Sequence, residues 1–488
     1  MSMNLKGSTV GTRENRLGSI TGYSGDLHDL VNQSRCGTLK DKDRCFSQSS
    51  TCLSGCALGL LSGIRDIAII SHAPSGCTAT AAGADVLNNQ LAIKRGVTNS
   101  TVFVGTDMNE RDTVFGATES LREIVLETYN RYKPQAIFIG TSCVTGIIGE
   151  DVDSIVEDLK YELPIPVIAV HCEGFKSRIW ASGFDIADHA VITNIVKPPQ
   201  QKRNVINFKN FFESARKDII ELFANFGVEP LMLYQNSTIE ELSRLSESLA
   251  TVCICGTLGT YLGNGLEEKF GVPYVRTINP LGVTGFETWL REIGRIIGKT
   301  PEVEAYIERE RAIYIPQIEE VKKELKGLRA VIGMGPGYTF EVSRVLQELG
   351  MEVVWGAAWH YDKKYDNDKV PPALDYLLDN SPNNFKLSVA DQQNFEVLNI
   401  LNTYQPDIYF SRHPGTTVWA IKQGIAALYV ADEYMIFGYK GTLDFAHAVL
   451  DTVKNRSFEK NLAARVQLPY TKWWYEQDNS TFLKEEAK

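Results

Sequence analysis

The stretch LSGCALGLLSGIRDIAIISHAPSGC, residues Leu53–Cys77, contains the pattern on which the fold depends. An aliphatic run is followed by a turn with proline and glycine, and a cysteine lies where a helical pattern begins. This order predicts a buried strand, a loop and a helix. The question it raises is why cysteines lie at the ends of such buried segments.

The same order recurs along the chain. The corresponding strand ends are RDIAIISHAPSGC, PQAIFIGTSC, IPVIAVHCEGF, ATVCICGTLGT, RAVIGMGPGYT, MEVVWGAAWH and PDIYFSRHPG. Strands that alternate with helices predict an α/β fold with parallel sheets. Ligands of such sheets bind beyond the carboxyl ends of the strands, and the cysteines, histidines and glycines of interest lie there.

A chain of 488 residues is too long for one ordinary core. We expect an N-terminal extended arm, 1–45, that contacts another subunit, and three α/β domains, 46–205, 206–325 and 326–488. The boundary at 326 follows a charged helical pattern that ends at Gly327. The boundary in the region 205–235 is less sharply marked.

Composition narrows the function classes. The formal charge of −10 argues against a nucleic-acid partner, although an acidic surface can accept a basic protein. No apolar run is long enough for a membrane helix, and the first residues do not have the pattern of a signal peptide, so we expect a cytoplasmic protein. Thiols stay reduced there, so the nine cysteines predict metal ligands and buried thiols rather than disulfides.

Three cysteines, Cys52, Cys77 and Cys143, are each next to small residues. A thiolate that binds iron needs room for a bulky inorganic core and N–H groups directed at sulfur, which glycine neighbours such as Gly76 permit. Three ligands from one chain predict that a partner subunit supplies the others. The alternative is three buried structural thiols.

Cys255 follows a strand and enters a helix, so it is a candidate to hold a cluster alone, with a structural thiol as the alternative. Cys253 is simply core. No zinc-type spacing exists for the remaining cysteines, which are Cys36, Cys45, Cys56 and Cys172.

Two histidines, His360 and His413, follow strands in the last third and are candidate ligands. His72 is expected to shape its loop by hydrogen bonding. The turn from Gly333, which includes Gly335, departs from GxGxxG. The turn is therefore only a weak signal for phosphate binding at a helix N-terminus, and close packing against a bulky ligand is an equal account of it. No role is assigned to His28, His189 and His447.

Several ordered blocks are similar to a known family. They are GIRDIAIISHAPSGC, TDMNERDTVFGATESL, TSCVTGIIGEDVDSIVEDL, IPVIAVHCEGF, CGTLGTYLGNGLEEKFGVPY, LQELGMEVVWG and YQPDIYF. Over nearly its whole length the chain resembles the α-type subunits of nitrogenase component 1 and their nitrogenase-like relatives.

The resemblance implies three Rossmann-like domains with a metallocluster crevice between them. Cys52, Cys77 and Cys143 match the ligands of half a P-cluster, an [8Fe-7S] electron relay shared with a β-type subunit. Cys255 matches the cysteine that anchors the larger iron-sulfur active-site cluster. The implied assembly is an α2β2 heterotetramer supplied with electrons by an ATP-hydrolysing iron protein.

The sequence departs from true nitrogenases at the active site. The stretch ALYVADEYMIFGYKGTLDF has no histidine to bind the cofactor metal. Phe184 and Asp185 replace a histidine pair, Trp180 replaces a glutamine, and the arginines of the glycine-rich turn are absent. The resemblance therefore favours an all-iron or simplified cluster over molybdenum with homocitrate, since an anionic cofactor without those basic groups is poorly compensated.

The functional class that fits best is methylthio-alkane reductase, which cleaves C–S bonds of small thioethers. Trp180, Phe184, Trp355 and Trp359 are expected to form a pocket for an apolar substrate, with core packing as the alternative. His360 is the candidate second cluster ligand, and Asp185 or His360 a proton relay. Rival functions are a cofactor-assembly scaffold, a nitrogenase with an altered cofactor, and an α/β protein that binds an organic ligand.

Overall fold

The N-terminal segment, residues 3–45, is part of this chain's own fold. The computed structural model describes residues 3–45, 52–98, 100–209, 213–391, 393–412, 414–430 and 436–484. The segment forms helix α1 (Arg13–Leu17), strand β1 (Gly22–Asp26) and helix α2 (Leu27–Arg35). Strand β1 pairs antiparallel with Lys386–Ala390 and covers that edge of the third sheet. Its strand thus packs on the chain's own third domain, and other residues of the segment contact the first and second domains.

The first domain has a four-stranded parallel sheet in the order β3-β2-β4-β5. Its helices lie on both faces of the sheet. In chain order the elements are α3 (Leu53–Leu61), β2 (Ala68–Ser71), α4 (Ser75–Lys94), β3 (Val102–Gly105), α5 (Glu110–Phe115), α6 (Thr118–Tyr132), β4 (Ile137–Gly140), α7 (Cys143–Ile148), α8 (Val152–Leu159), β5 (Val167–Val170) and α9 (Ser182–Asn194).

The second domain has a three-stranded parallel sheet in the order β7-β6-β8. Its first strand begins at Val205, one residue before the predicted boundary. The elements are β6 (Val205–Lys209), α10 (Arg216–Ala224), β7 (Glu229–Met232), α11 (Ile239–Ser243), β8 (Ala250–Cys253), α12 (Gly256–Phe270), α13 (Gly282–Ile297) and α14 (Thr300–Leu325).

The third domain has a six-stranded sheet in the order β1-β11-β10-β9-β12-β13, parallel except for β1. The elements are β9 (Arg329–Met334), α15 (Pro336–Glu348), β10 (Glu352–Ala358), α16 (Pro372–Asn380), β11 (Lys386–Ala390), α17 (Asn394–Tyr404), β12 (Ile408–Ser411), α18 (Pro414–Lys422), β13 (Ala426–Tyr429), α19 (Gly438–Lys454), α20 (Ser457–Ala463) and α21 (Lys472–Glu476).

Three sheets of this kind confirm the prediction of an α/β fold with Rossmann-like domains. The predicted strand ends place two sets of thiols at different edges of the sheets. Strands β2 and β4 lead to Cys77 and Cys143, and β8 leads to Cys255. Within the described residues, no helix has the length and apolar character needed to cross a membrane.

Candidate metallocluster sites

Three cysteines lie at the starts of helices at one edge of the first domain. Cys52 is the residue before α3, Cys77 is in the first turn of α4, and Cys143 is the first residue of α7. Ser142 caps α7 by accepting a hydrogen bond from Thr145 N–H. The side chains of Cys52 and Cys77 are exposed and that of Cys143 is half-buried. We name these three thiols the rim site.

The rim thiols converge. A Cβ on Gly174, which follows β5, would lie 2.8 Å from the sulfur of Cys52 and 3.4 Å from that of Cys143. Partial burial raises the pKa of Cys77, and the thiols of Cys143 and Cys52 raise it further. Among the described residues, no group of three or more His, Cys, Asp and Glu side chains is arranged to hold a single metal ion.

A buried histidine connects the loops that carry two of these thiols. The His72 ring lies 3.0 Å from the Thr106 hydroxyl and 2.8 Å from the Glu150 carboxylate. The Glu150 carboxylate also accepts a hydrogen bond from Ala117 N–H. Burial lowers the pKa of His72, against the opposing effect of Glu150. Hydrogen bonding by His72 thus shapes the loop between β2 and α4, as the sequence predicts.

Large apolar side chains are exposed around the rim site. Phe115 on α5 and Ile147 on α7 are 81% and 76% exposed, and α5 packs against α7. The ring of Phe175, itself exposed, lies 3.1 Å from where a Gly146 Cβ would be. A cluster of this kind is typical of a protein interaction surface.

Of the remaining cysteines near the rim, Cys172 is buried and Cys56 is half-buried. Burial raises the pKa of Cys56 and of Cys172 to about 12. The Cys172 thiol donates to the Thr141 carbonyl oxygen at 3.2 Å. Burial thus favours the protonated form of both thiols in the chain as it stands.

A second site is a cavity of about 370 Å³ between the three domains, which we name the crevice. Trp180 and Phe184 come from the first domain, Cys255 from the second, and Gly335 and His360 from the third. The other lining residues are Leu60, Leu233, Tyr234, Gln235, Thr257, Leu258, Pro336, Tyr338, Trp359 and Arg412. The crevice thus brings together most of the predicted active-site residues.

Aromatic rings form one wall of the crevice, and Trp180 lies at its centre. Its ring centroid lies 6.0 Å from that of Phe184, 6.1 Å from that of Trp359 and 6.0 Å from that of His360. Within the described residues, Trp180 Nε1 and His360 Nδ1 are buried and have no hydrogen-bond partner, and His360 Nε2 lies 3.7 Å from the Asp362 carboxylate. Buried polar atoms of this kind in a cavity are positions that a bound group or an ordered water can satisfy.

The Cys255 thiol lies at the start of α12, buried against the crevice. Burial raises its pKa, while the N–H groups of Leu258 and Thr257 and the charge of Arg412 lower it. A Cβ on Gly337 would lie 3.0 Å from the Cys255 sulfur. The close approach in the glycine-rich turn therefore occurs at Gly337, and the predicted Gly335 has only ordinary contact with Trp359.

Basic groups beside Cys255 are a feature that the sequence analysis missed. The Arg412 guanidinium lines the crevice, 4.2 Å from the centroid of the Tyr338 ring. Arg13, from the N-terminal segment, also lowers the pKa of Cys255. The signal for Arg412 was its place at a strand end, in FSRHPG, whereas nothing local in the sequence indicates Arg13.

Several predicted residues lie elsewhere. Asp185 does not line the crevice, because its buried carboxylate is paired with Arg13 at 2.7 Å and with Arg16 at 2.6 Å. Trp355 donates from Nε1 to Ser388 and packs on Tyr404, away from the crevice. His413 and residues 431–435 of the histidine-free stretch are outside the described residues.

Gly76 lies beside Cys77 in the first turn of α4, and Cys253 is core as expected. A Cβ on Gly76 would meet nothing within 4 Å, so no close approach in this chain requires glycine there. The Cys253 thiol is buried, and it donates to the Cys255 carbonyl oxygen at 2.9 Å.

Together, the fold and the two sites define a class: a three-domain α/β protein with an interdomain crevice that contains one cysteine, and with three thiols at its rim. Residues 52–454 match the family described as Nitrogenase component 1 type Oxidoreductase. The chain therefore belongs to this family and is a nitrogenase-family oxidoreductase subunit.

Similar proteins include both enzyme chains and assembly proteins. The chain is 25% identical to the nitrogenase molybdenum-iron protein alpha chain of Methanococcus maripaludis, over 75% of this chain and 80% of that protein. It is 27% identical to the nitrogenase iron-molybdenum cofactor biosynthesis protein NifE of the same species, over 82% of each. The solved structure "Nitrogenase Cp1 at pH 6.5" has a TM-score of 0.69 at 19% identity and covers 88% of this chain and 94% of that one, which shows a common fold.

Proposed function

We propose that this chain is the catalytic α-type subunit of a cytoplasmic nitrogenase-like reductase that reduces a small apolar substrate at an iron-sulfur cluster in the crevice. The best substrate class is the methylthio-alkanes, of which one C–S bond is cleaved. In balanced form, a dialkyl sulfide takes up two electrons and two protons and gives a thiol and an alkane.

One observation supports the proposal most strongly. Cys255 and His360, from different domains, line the same crevice; His360 Nδ1 has no hydrogen-bond partner among the described residues, and Nε2 faces the Asp362 carboxylate at 3.7 Å. A thiolate and an imidazole are ligands that iron accepts. Gly337 leaves space beside the Cys255 sulfur that a side chain would fill. The residues present thus fit a cluster held between Cys255 and His360.

The crevice walls support an apolar substrate. Trp180, Phe184 and Trp359 supply aromatic surface, and the Trp180 N–H is a single donor without a partner in the described residues. Apolar walls with few polar groups favour small hydrophobic ligands and exclude water. The Trp180 N–H would donate to a sulfur acceptor, and the walls would orient the alkyl groups.

The cluster would supply the electron storage and the reducing chemistry at the crevice. The chain's own residues hold and surround it. Arg412 places positive charge beside the Cys255 thiolate, which partly replaces the basic groups that are absent from the glycine-rich turn. A cluster of low negative charge, without molybdenum and homocitrate, fits this smaller compensation best.

For the rim site we propose half of a P-cluster, [8Fe-7S], completed by a β-type subunit in an α2β2 heterotetramer. Its three thiols converge at the surface, and Phe115, Ile147 and Phe175 offer an apolar surface to a partner. An ATP-dependent iron protein would deliver the electrons. The rim thiols would hold this cluster, which would supply the electron transfer between the partner proteins and the crevice.

A cofactor-assembly scaffold is the second candidate. The similarity to NifE and the absence of histidine from residues 427–445 favour it. A scaffold holds a precursor cluster and releases it, so it shares the thiols but turns over no substrate.

The deciding experiment uses the complex of this chain with its β-type subunit, purified without oxygen, with the iron protein and ATP. Ethyl methyl sulfide is added, and alkane and thiol are measured by gas chromatography. We expect thiol and alkane in equal amounts, dependent on ATP. Iron and sulfide without turnover would support the scaffold, and a complex without iron would refute both.

A further inference from the structure

Arg13 connects all three domains with one buried side chain. Its guanidinium is bidentate to Asp185 of the first domain, with both distances 2.7 Å. It also donates to the Thr257 carbonyl oxygen of the second domain and to Asp362 of the third, the latter at 3.3 Å. The side chain is completely buried. Burial alone would lower the pKa of Arg13, but Asp185 and Asp362 raise it, so the charge is retained.

Each partner of Arg13 adjoins a residue that lines the crevice. Thr257 is two residues after Cys255 and itself lines the cavity. The Asp362 carboxylate lies 3.7 Å from Nε2 of His360. Asp185 is the next residue in the chain after Phe184, whose ring lines the crevice. Arg13 therefore contacts the supports of both candidate cluster ligands, which are on different domains.

Arg16 and Ser19 add contacts around Arg13 but do not duplicate all of its contacts. Arg16, also on α1, pairs with Asp185 and Asp366, and Ser19 donates to the Asp362 carboxylate. Neither contacts the backbone next to Cys255 in the described contacts. Removal of Arg13 would leave the buried carboxylate of Asp362 with no arginine, which is costly in a dry interior.

We propose that Arg13 is a positioning residue that sets the separation between Cys255 and His360, so that the N-terminal segment completes the crevice. The inference rests on the proposed function, since it assigns both residues as ligands of one cluster. The planar fork of a guanidinium fixes direction as well as distance, which the single ammonium of lysine does not.

The test compares R13A and R13K with R44A in the purified complex. Arg44 is a matched control, because it is another nearly buried arginine of the N-terminal segment, with bonds to Glu396, Thr21 O and Val389 O and none to the crevice lining in the described contacts. Hydrogen exchange is measured over residues 255–260 and 359–366, and the electron paramagnetic resonance spectrum is recorded at equal iron content.

We expect R13A to speed exchange in both segments by about tenfold or more, and to change the crevice-cluster spectrum. R13K should lie between R13A and the unmodified chain. R44A should speed exchange near residues 21–22 and 389–396 and leave both crevice segments and the spectrum unchanged.

Two results would overturn the inference: unchanged exchange in both segments in R13A, or an equal effect of R44A on them. If R13A does not assemble, R13K decides. Exchange rates and a spectrum in R13K that equal those of the unmodified chain would contradict the inference. An unmodified complex without crevice iron refutes the proposed function instead, and the exchange data still decide whether Arg13 holds the two segments.

Discussion

The rim site and the crevice use the same residue type in opposite surroundings. The rim thiols of Cys52 and Cys77 are exposed, beside apolar side chains that face solvent, whereas Cys255 is buried between three domains. The exposed rim thiols fit the proposed interface with another subunit, whereas the described lining of the crevice comes from the domains of this chain. The difference matches the two proposed roles, since a group shared with a partner has to lie at the surface and a reaction site has to exclude water.

The largest effect on this contrast between the two sites is expected for the variant C255A. We expect loss of the crevice cluster and a fall in activity of more than about 100-fold. Removal of a residue that only supports a metal ligand already lowers metal affinity or activity by about 10- to 100-fold, and Cys255 is the proposed ligand itself. Rim iron should remain. Iron analysis and electron paramagnetic resonance measure both. The control is C253A, which removes a buried thiol two residues away and should leave the crevice iron unchanged.

At the rim, C143A should lower rim iron by about tenfold or more and leave the crevice iron in place. The exposed Cys36 on the N-terminal segment is the control, as C36A. If C143A removed iron from both sites equally, the two sites would not be independent.

The interface interpretation of the rim is tested by F115E with I147E. Two charges in a surface that a partner covers should raise the dissociation constant for the β-type subunit by about 10- to 100-fold. Calorimetry or analytical ultracentrifugation would measure it. The exposed Tyr161 gives the control, Y161E, and an equal effect of that change would argue against a local interface.

The pH dependence of the rim loop sharpens the comparison further. Burial lowers the pKa of His72 in the folded chain below its ordinary value of 6.5. Below that pH the unfolded loop binds a proton that the folded loop does not, so loop stability falls as the pH drops through 6.5.

Hydrogen exchange over residues 71–77, corrected for intrinsic rates, should therefore rise by about fivefold between pH 6.5 and 5.5. H72Q should flatten this slope, and H28Q, at an exposed histidine, should keep it. A flat profile in the unmodified chain would show that His72 is not what holds the loop.

The smallest effect is expected for W180F. The shorter ring removes the indole N–H and enlarges the crevice, so KM for ethyl methyl sulfide should rise severalfold and longer thioethers should lose less. Trp355 provides the control as W355F, since it donates to Ser388 away from the crevice. Equal KM changes for both variants would show that the effect is not specific to Trp180, and would argue against its role in substrate binding.

The local part of the sites was predictable from sequence. Cys52, Cys77, Cys143 and Cys255 each lie where a strand or loop gives way to a helix, and this place follows from periodicity and turn residues. Crevice residues His360 and Trp180 were predicted from strand ends and from family blocks. Asp185, adjacent to Phe184 on the same helix, was expected to act in the crevice, but it pairs with two arginines.

The sequence by itself determined the α/β order, the helix starts that carry the thiols, and the family, because these depend on neighbouring residues and ordered motifs. Only the tertiary structure decided which side chains share the crevice and how the N-terminal segment enters it. Arg13 meets Asp185 and Asp362 across 172 and 349 residues of chain. A buried charge pair at such separations has no local pattern, since its partners are set by the packing of three domains rather than by their neighbours in sequence.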